Sequence, residues 1–220
     1  KLQLSGSPKQ RGQKHGEELR EPIAELAKIR KELCLGFLKD IDIKRIDALA
    51  SAQLKALKKY PWAYDEFMGI VEGSKVPVND LIILNNYTDM RDFSHSKILT
   101  DPHYKFDDGG CSVFSLINEG SICAGQTWDM HASARPFMTH IEYAADTVSH
   151  QPKMDVLTLT GCLALCGVNE YGVMVLINNM HCSETSISII WPGLVRGMLS
   201  QHSAVDAFKY LQQNVPCSGH

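Results

Sequence analysis

The chain has 220 residues, 44% of them hydrophobic, and its 22 Lys and Arg against 25 Asp and Glu leave a formal net charge of −3. It is long enough to bury a core as one large domain or two small ones, and it is too weakly charged to point to a nucleic-acid partner. No uninterrupted apolar run approaches bilayer-spanning length, and the first residues lack the charged-then-apolar layout of a signal peptide, so neither a membrane partner nor a leader is predicted.

Arg11 to Phe37 places Leu19, Ile23, Leu26, Ile29 and Leu33 three and four residues apart. This predicts a helix with one buried stripe, and Pro22 as a kink or restart. Ile43 to Tyr60 repeats the period up to Pro61, and Trp62 to Glu72 is a third helix closed by Gly73. Asn79 and Asp80 stand at the N-cap position before Leu81-Ile82-Ile83-Leu84. From Asp89 the chain turns polar and ends in Asp107-Asp108-Gly109-Gly110, which predicts an accessible, cleavable linker over 89–110.

From Cys111 onward the period becomes that of strands. Ser112 to Leu116 and Ser121 to Thr127, joined by Asn118-Glu119-Gly120, read as a hairpin. Phe137 to Ala144, Asp155 to Thr160 and Gly172 to Asn178 follow as strands, the last apolar enough to be covered on both faces. Leu194 to Leu199 and Ala204 to Gln213 return to helical spacing. Residues 1–110 hold 18 of the 22 basic side chains. The layout is therefore α+β, with a helical N-terminal segment 1–110 and a β-rich part 111–220 that begins at Cys111.

The seven cysteines, odd in number and irregularly spaced, favour a reducing compartment such as the cytoplasm, although a removed leader would leave no trace. Cys162 and Cys166 lack the second pair a structural zinc would need and read as core thiols, so no metal is expected. Cys111 is different because Gly109 and Gly110 precede it. If the Gly110-Cys111 bond were cut, the new α-amine, with a reference pKa of roughly 7.7–8.0, would lie beside the thiol and suit a general base. One residue would supply nucleophile and base together. Asp129 follows within the hairpin's far end and can orient that amine. The competing account is an inert cysteine at a loop-to-strand junction.

Gly110-Cys111-Ser112 with Gly125-Gln126-Thr127-Trp128-Asp129 resembles the isopenicillin N acyltransferase family of N-terminal nucleophile hydrolases, whose precursors split before a cysteine. Gly6 to Glu17, Gly69 to Gly73 with Leu81 to Asn85, and Gly167 to Gly172 with Ile177-Asn178-Asn179 resemble further blocks of that family. The resemblance implies a four-layer αββα fold preceded by a helical segment. It also implies that this chain lacks a C-terminal part of the sheet.

Residue by residue, it implies Cys111 as nucleophile in self-cleavage and acyl transfer, Asp129 as the acidic partner of its amine, and Asn178 as an oxyanion donor with Asn179 as its rival. Gln126 stands where related bile-salt hydrolases carry arginine, which leaves substrate charge recognition to other positions. Trp128 and Arg91 are substrate-binding candidates. His131, His140 and His181 lack carboxylates at helical spacing and read as surface or strand histidines; Arg196 is expected to be exposed.

The function implied is a self-processing cysteine amidohydrolase or acyltransferase that cleaves a linear amide or thioester through an acyl-enzyme on Cys111. Its partners would be that small-molecule substrate and its own cleaved N-terminal fragment, with homo-oligomerisation left open. No cofactor is required. One alternative is a hydrolase of N-acyl amino compounds or conjugated amines that uses no coenzyme A. The other is an uncleaved, non-catalytic binding scaffold.

Overall fold

A computed structural model describes residues 1–37, 43–95, 110–129, 132–180, 182 and 185–219, with Phe37, Arg91, Ser94 and His95 described by their backbone. Strand β1 (Leu2–Leu4) leads into six helices: α1 (Pro8–Glu18), α2 (Arg20–Phe37), α3 (Ile43–Leu57), α4 (Pro61–Ser74), α5 (Val78–Asn85) and α6 (Tyr87–His95). The hairpin β2 (Val113–Asn118) and β3 (Ser121–Gln126) follows, then a 3₁₀ segment (Ala132–Phe137). The chain closes with β4 (Met138–Tyr143), β5 (Met154–Leu159), β6 (Cys166–Asn169), β7 (Met174–Val175), α7 (Trp191–Met198) and α8 (Ala204–Gln213). The fold is α+β, as the order of periodicities predicts.

Five strands form one mixed sheet in the order β1-β4-β5-β6-β7, with β1 parallel to β4 and the other pairs antiparallel. On β4, Thr139, Ile141 and Tyr143 are buried while Met138 is exposed, and β5 buries Met154, Val156 and Thr158 while Leu157 is exposed. This two-residue alternation means that one face of the sheet is covered and the other is partly open. The covered face packs on Ile23, Leu26, Phe67, Ile70 and Leu81 to Leu84 of α2, α4 and α5.

Helix α1 begins on a capping box, Ser7 accepting from the Gln10 amide while Gln10 Oε1 accepts from the Ser7 amide. It meets α4 at backbone contact. A Cβ added to Gly12 would lie 1.9 Å from the Glu66 carbonyl oxygen, and one added to Gly73 would lie 2.2 Å from that of Gln13. The repeats Gly12-x-x-x-Gly16 and Gly69-x-x-x-Gly73 are therefore the surfaces on which the two helices touch.

Several expectations need correction. The first helix breaks at Leu19, where the chain caps on His15, and Pro22 falls in the first turn of α2, where a missing N–H costs nothing. Gly73 lies inside α4, which ends at Lys75 in the left-handed region (φ 64). Helix α5 starts at Val78 behind Pro77, because Asp80 is used by Lys31 (2.6 Å) and Asn79 by Ser51. The expected linker is helical as far as His95 in α6, where Asp89 and Asp92 are buried. Residues 96–109, including Asp107 and Asp108, lie outside the described residues.

The strand expected over Gly172 to Asn178 is only Met174–Val175, and Met174 is half exposed. The short β1 and β6 went unpredicted. No helix among the described residues is long and apolar enough to cross a membrane.

Candidate active site

The hairpin brings Asp129 back to Gly110, the residue before Cys111, through the antiparallel ladder that pairs Val113 with Gln126. Below the ladder the pairing continues irregularly. The Thr127 amide donates to the Ser112 carbonyl (2.9 Å), the Ser112 amide to Thr127 Oγ1 (3.1 Å), and Thr127 Oγ1 to the Asp129 carboxylate (3.2 Å). The Asp129 amide donates to the Gly110 carbonyl at 3.0 Å. That carbonyl belongs to the peptide bond joining Gly110 to Cys111. A backbone N–H therefore already points at the oxygen on which charge would develop if the bond were attacked. Cys111 is half-buried and Asp129 exposed.

Gln126 has a structural task at the same corner. Its Oε1 accepts the Ile177 amide at 2.7 Å, tying the hairpin's end to the segment that carries Asn178 and Asn179. Asn178 is exposed, while Asn179 is half-buried with its Oδ1 enclosed and without a hydrogen-bond partner. Both lie beyond β7 in irregular backbone, so strand alternation does not choose between them. Trp128 lines two adjoining cavities. One, of about 60 Å³, is formed by Gln126, Met138, Leu157, Cys166 and Ile177; the other, of about 10 Å³, reaches Arg30 and Tyr87; Leu165 and Trp191 line both.

The motif-like residues outside the hairpin shape this corner from behind. Asn85 donates to the carbonyls of Leu81 (3.0 Å) and Gly161 (2.8 Å) and accepts from the Leu163 amide (3.2 Å). His15 accepts the Gly161 amide at 3.0 Å and is fully buried, which pushes its pKa down to about 4. The loop they clamp leads directly to Leu165 and Cys166 at the cavity wall. Asn169 likewise binds the Tyr171 and Val173 amides and the carbonyls of Leu199 and Gln201, fixing β6 against the end of α7. Asn85 and Asn169 thus spend their side-chain amides on holding backbone, whereas His15 uses only Nε2 and its buried Nδ1 has no hydrogen-bond partner.

Other candidates fall elsewhere. Arg196 is fully buried, contrary to expectation: it lies 3.5 Å from Glu66, which also lies 3.8 Å from the buried Arg11, and it stacks over the Tyr143 ring. Arg196 also donates to Gln151 (3.0 Å), which fixes it inward. His140 has the carboxylate partner that helical spacing could not reveal, because Asp155 reaches it across the strand pair at 2.9 Å. With Glu142 these two form a cluster whose ligand atoms lie within 4.8 Å, but Glu142 is engaged by Lys1 (2.7 Å) and Gln3 (3.0 Å). His131, His181 and the side chain of Arg91 lie outside the described residues. Sequence reasoning missed Arg30; its signal was a buried helix face, Ile23, Leu26, Ala27, Arg30 and Cys34, that runs through an arginine.

No protein-family model matches the chain. Over 176 residues, 80% of this chain, it is 23% identical to the acyl-coenzyme A:6-aminopenicillanic-acid-acyltransferase 40 kDa form of Emericella nidulans. The chain spans about half the length, 46%, of that curated relative, and the similarity to it is distant.

Proposed function

We propose that this chain carries the nucleophile of a self-processing acyltransferase or amidohydrolase with the αββα arrangement of N-terminal nucleophile hydrolases, cut between Gly110 and Cys111. The carrying observation is the Asp129 amide on the Gly110 carbonyl (3.0 Å), with the Asp129 carboxylate held by Thr127 beside it. The similarity to an acyltransferase that acts with acyl-coenzyme A and 6-aminopenicillanic acid supports acyl transfer as the chemistry. An inner position for the hairpin is supported by its apolar side chains on both faces: Phe114 and Leu116 on one, Ile117 and Ile122 on the other, all more than half exposed in this chain.

In the first step Cys111 Sγ loses its proton and attacks the Gly110 carbonyl carbon. The Asp129 amide stabilises the oxyanion. Collapse breaks the C–N bond, leaves a thioester between Gly110 and Cys111, and the freed α-amine takes up the proton. Water then hydrolyses the thioester to a Gly110 carboxylate and a free thiol. In later turnovers the α-amine removes the thiol proton, the substrate's acyl group passes to Sγ with loss of its amine or thiol, and water or an amine accepts it. Asp129 orients the α-amine, and Asn178 or Asn179, held near by Gln126, donates to the substrate oxyanion. Trp128 forms the wall against which the acyl chain lies.

Incubating the purified protein with an acyl thioester and an amine acceptor, and following N-acyl product and free thiol, tests the transfer activity. Product formation that requires Cys111 supports it. Hydrolysis of amides with no exchange from thioesters would favour the hydrolase.

A further inference from the structure

The turn that carries Asn178 and Asn179 is held at both ends by groups distant in sequence. On one side the Ile177 amide donates to Gln126 Oε1 at 2.7 Å, at the foot of the hairpin. On the other the Met180 amide donates to the Gly219 carbonyl, also at 2.7 Å. Asn178 and Asn179 are the two residues between these fixed points. Where their side chains can reach is therefore set by where Gln126 and Gly219 stand.

Gly219 is itself firmly placed. Pro216 pairs with Ile189 in a parallel bridge, the Ser186 amide donates to the Cys217 carbonyl at 2.9 Å, and the buried Cys217 thiol donates to the Ser188 and Ile189 carbonyls at 3.2 Å each. Ser218, also buried, donates its hydroxyl to the Asp92 carboxylate on α6. The approach to the turn leaves no room for a side chain. A Cβ added to Gly219 would lie 2.0 Å from the Met180 carbonyl oxygen and 3.2 Å from Cys182 Cβ. The nearest obstacle is backbone rather than the flexible end of a side chain, so any other residue must push the two segments apart.

We propose that Gly219 is a positioning residue for acyl transfer: through Met180 it holds the Asn178-Asn179 turn where the substrate oxyanion forms, with Ser218 on Asp92 as its anchor. This role rests on Cys111 being the acyl-accepting nucleophile. Self-cleavage does not require it, because the donor on the Gly110 carbonyl is the Asp129 amide. Misplacing a catalytic group by about 1 Å is enough to slow a reaction by about 10²-fold. Asp92 precedes the proposed cut and Gly219 follows it, so the anchor joins the two pieces.

The test challenges the purified full chain with two reagents and follows modification of each cysteine by peptide mass. Attack of Cys111 Sγ on p-nitrophenyl acetate passes through an oxyanion; Sγ takes the acetyl group, p-nitrophenolate leaves, and the thiol proton goes to the α-amine. Attack on iodoacetamide displaces iodide and forms no oxyanion. In wild type, Cys111 should be acetylated about tenfold or more faster than the exposed Cys123. Gly219→Ala should slow acetylation of Cys111 by roughly 10- to 100-fold, keep its alkylation within about twofold of wild type, and leave self-cleavage at the wild-type rate. Ser218→Ala removes only the anchor and should show the same split at smaller size; it decides if Gly219→Ala does not fold. Wild-type acetylation in the variants, or acetylation and alkylation slowed equally, would overturn the proposal. A wild-type Cys111 acetylated no faster than Cys123 would instead overturn the functional reading, and the positioning role with it.

Discussion

Glu66→Gln should be among the most damaging substitutions in the protein, and more damaging than Arg196→Met in the same cluster. Glu66 is 0% exposed and faces Arg196 Nη2 at 3.5 Å and Arg11 Nε at 3.8 Å. At an effective dielectric near 20, these separations correspond to about 4.7 and about 4.4 kcal/mol of attraction. Desolvation of the three groups and repulsion between the two arginines offset much of that sum. Removing this anion leaves two buried cations with, among the described residues, only the weaker influence of Asp146 on Arg11 as counter-charge, a change that costs about 3–5 kcal/mol. Removing Arg196 instead leaves Arg11 and Glu66 as a balanced pair.

In Arg196→Met the lost attraction to Glu66 is offset by relief of the arginine's desolvation and of its repulsion with Arg11, and Gln151 Oε1 keeps the Ser200 hydroxyl as donor (2.7 Å), so the net loss is the stack on Tyr143, the Met154 contact and one hydrogen bond, roughly 2 kcal/mol. At about 2–4 °C per kcal/mol for a chain of this size, Glu66→Gln should melt roughly 6–20 °C below wild type and Arg196→Met about half as far. Differential scanning calorimetry of the two variants checks this. A Glu66→Gln protein melting within about 2 °C of wild type, or Arg196→Met the worse of the two, would refute the charge balance described.

Gly12→Ala and Gly73→Ala should each force α1 and α4 apart and cost about 2 kcal/mol or more, whereas Gly36→Ala, whose Cβ would meet open space, should be neutral or stabilise by up to about 1 kcal/mol; urea midpoints order the three. His15 is held at a pKa of about 4 against 6.5 when unfolded, so below pH 6.5 the unfolded chain takes up a proton that the folded one refuses. Stability should fall by roughly 3 kcal/mol between pH 6.5 and about 4 and show no contribution from His15 above that window. A urea-midpoint profile that is flat across the window would contradict the buried neutral imidazole. Asp129→Ala keeps the backbone donor and removes only the carboxylate, so self-cleavage should persist but slow by about 10²-fold or more, followed by gel densitometry over time; an unchanged rate would remove the carboxylate from the mechanism.

How much of this was legible in the sequence depended on whether a local period carried the information. Helix α8 was legible to the residue because its apolar spacing is regular, and Ser203 caps it where that spacing begins. The hairpin was legible from its Asn-Glu-Gly turn, with Gly120 at φ +75. Strands β1 and β6 are three and four residues long and owe their existence to partners in β4 and β5, so no local pattern announces them.

The predicted stripe of α2 was rotated: Ile29 and Leu33 are only partly buried, and the inward face passes through Arg30. A charged residue on an apolar face is discounted when hydrophobic spacing is counted, and the same habit hid Arg196. The return of the chain to Gly110 at Asp129 was readable from spacing because the hairpin register extends to it, whereas the tie from Gln126 to Ile177 joins segments 51 residues apart and needed the fold.

The most direct test of the account is the intact mass of freshly purified wild-type protein beside Cys111→Ala. The account predicts two wild-type pieces, one ending at Gly110 and one beginning at Cys111, whose masses together equal the chain plus one water, and a single uncut chain for Cys111→Ala. A wild-type chain that stays whole on prolonged incubation, or a Cys111→Ala chain cut at the same bond, would contradict it.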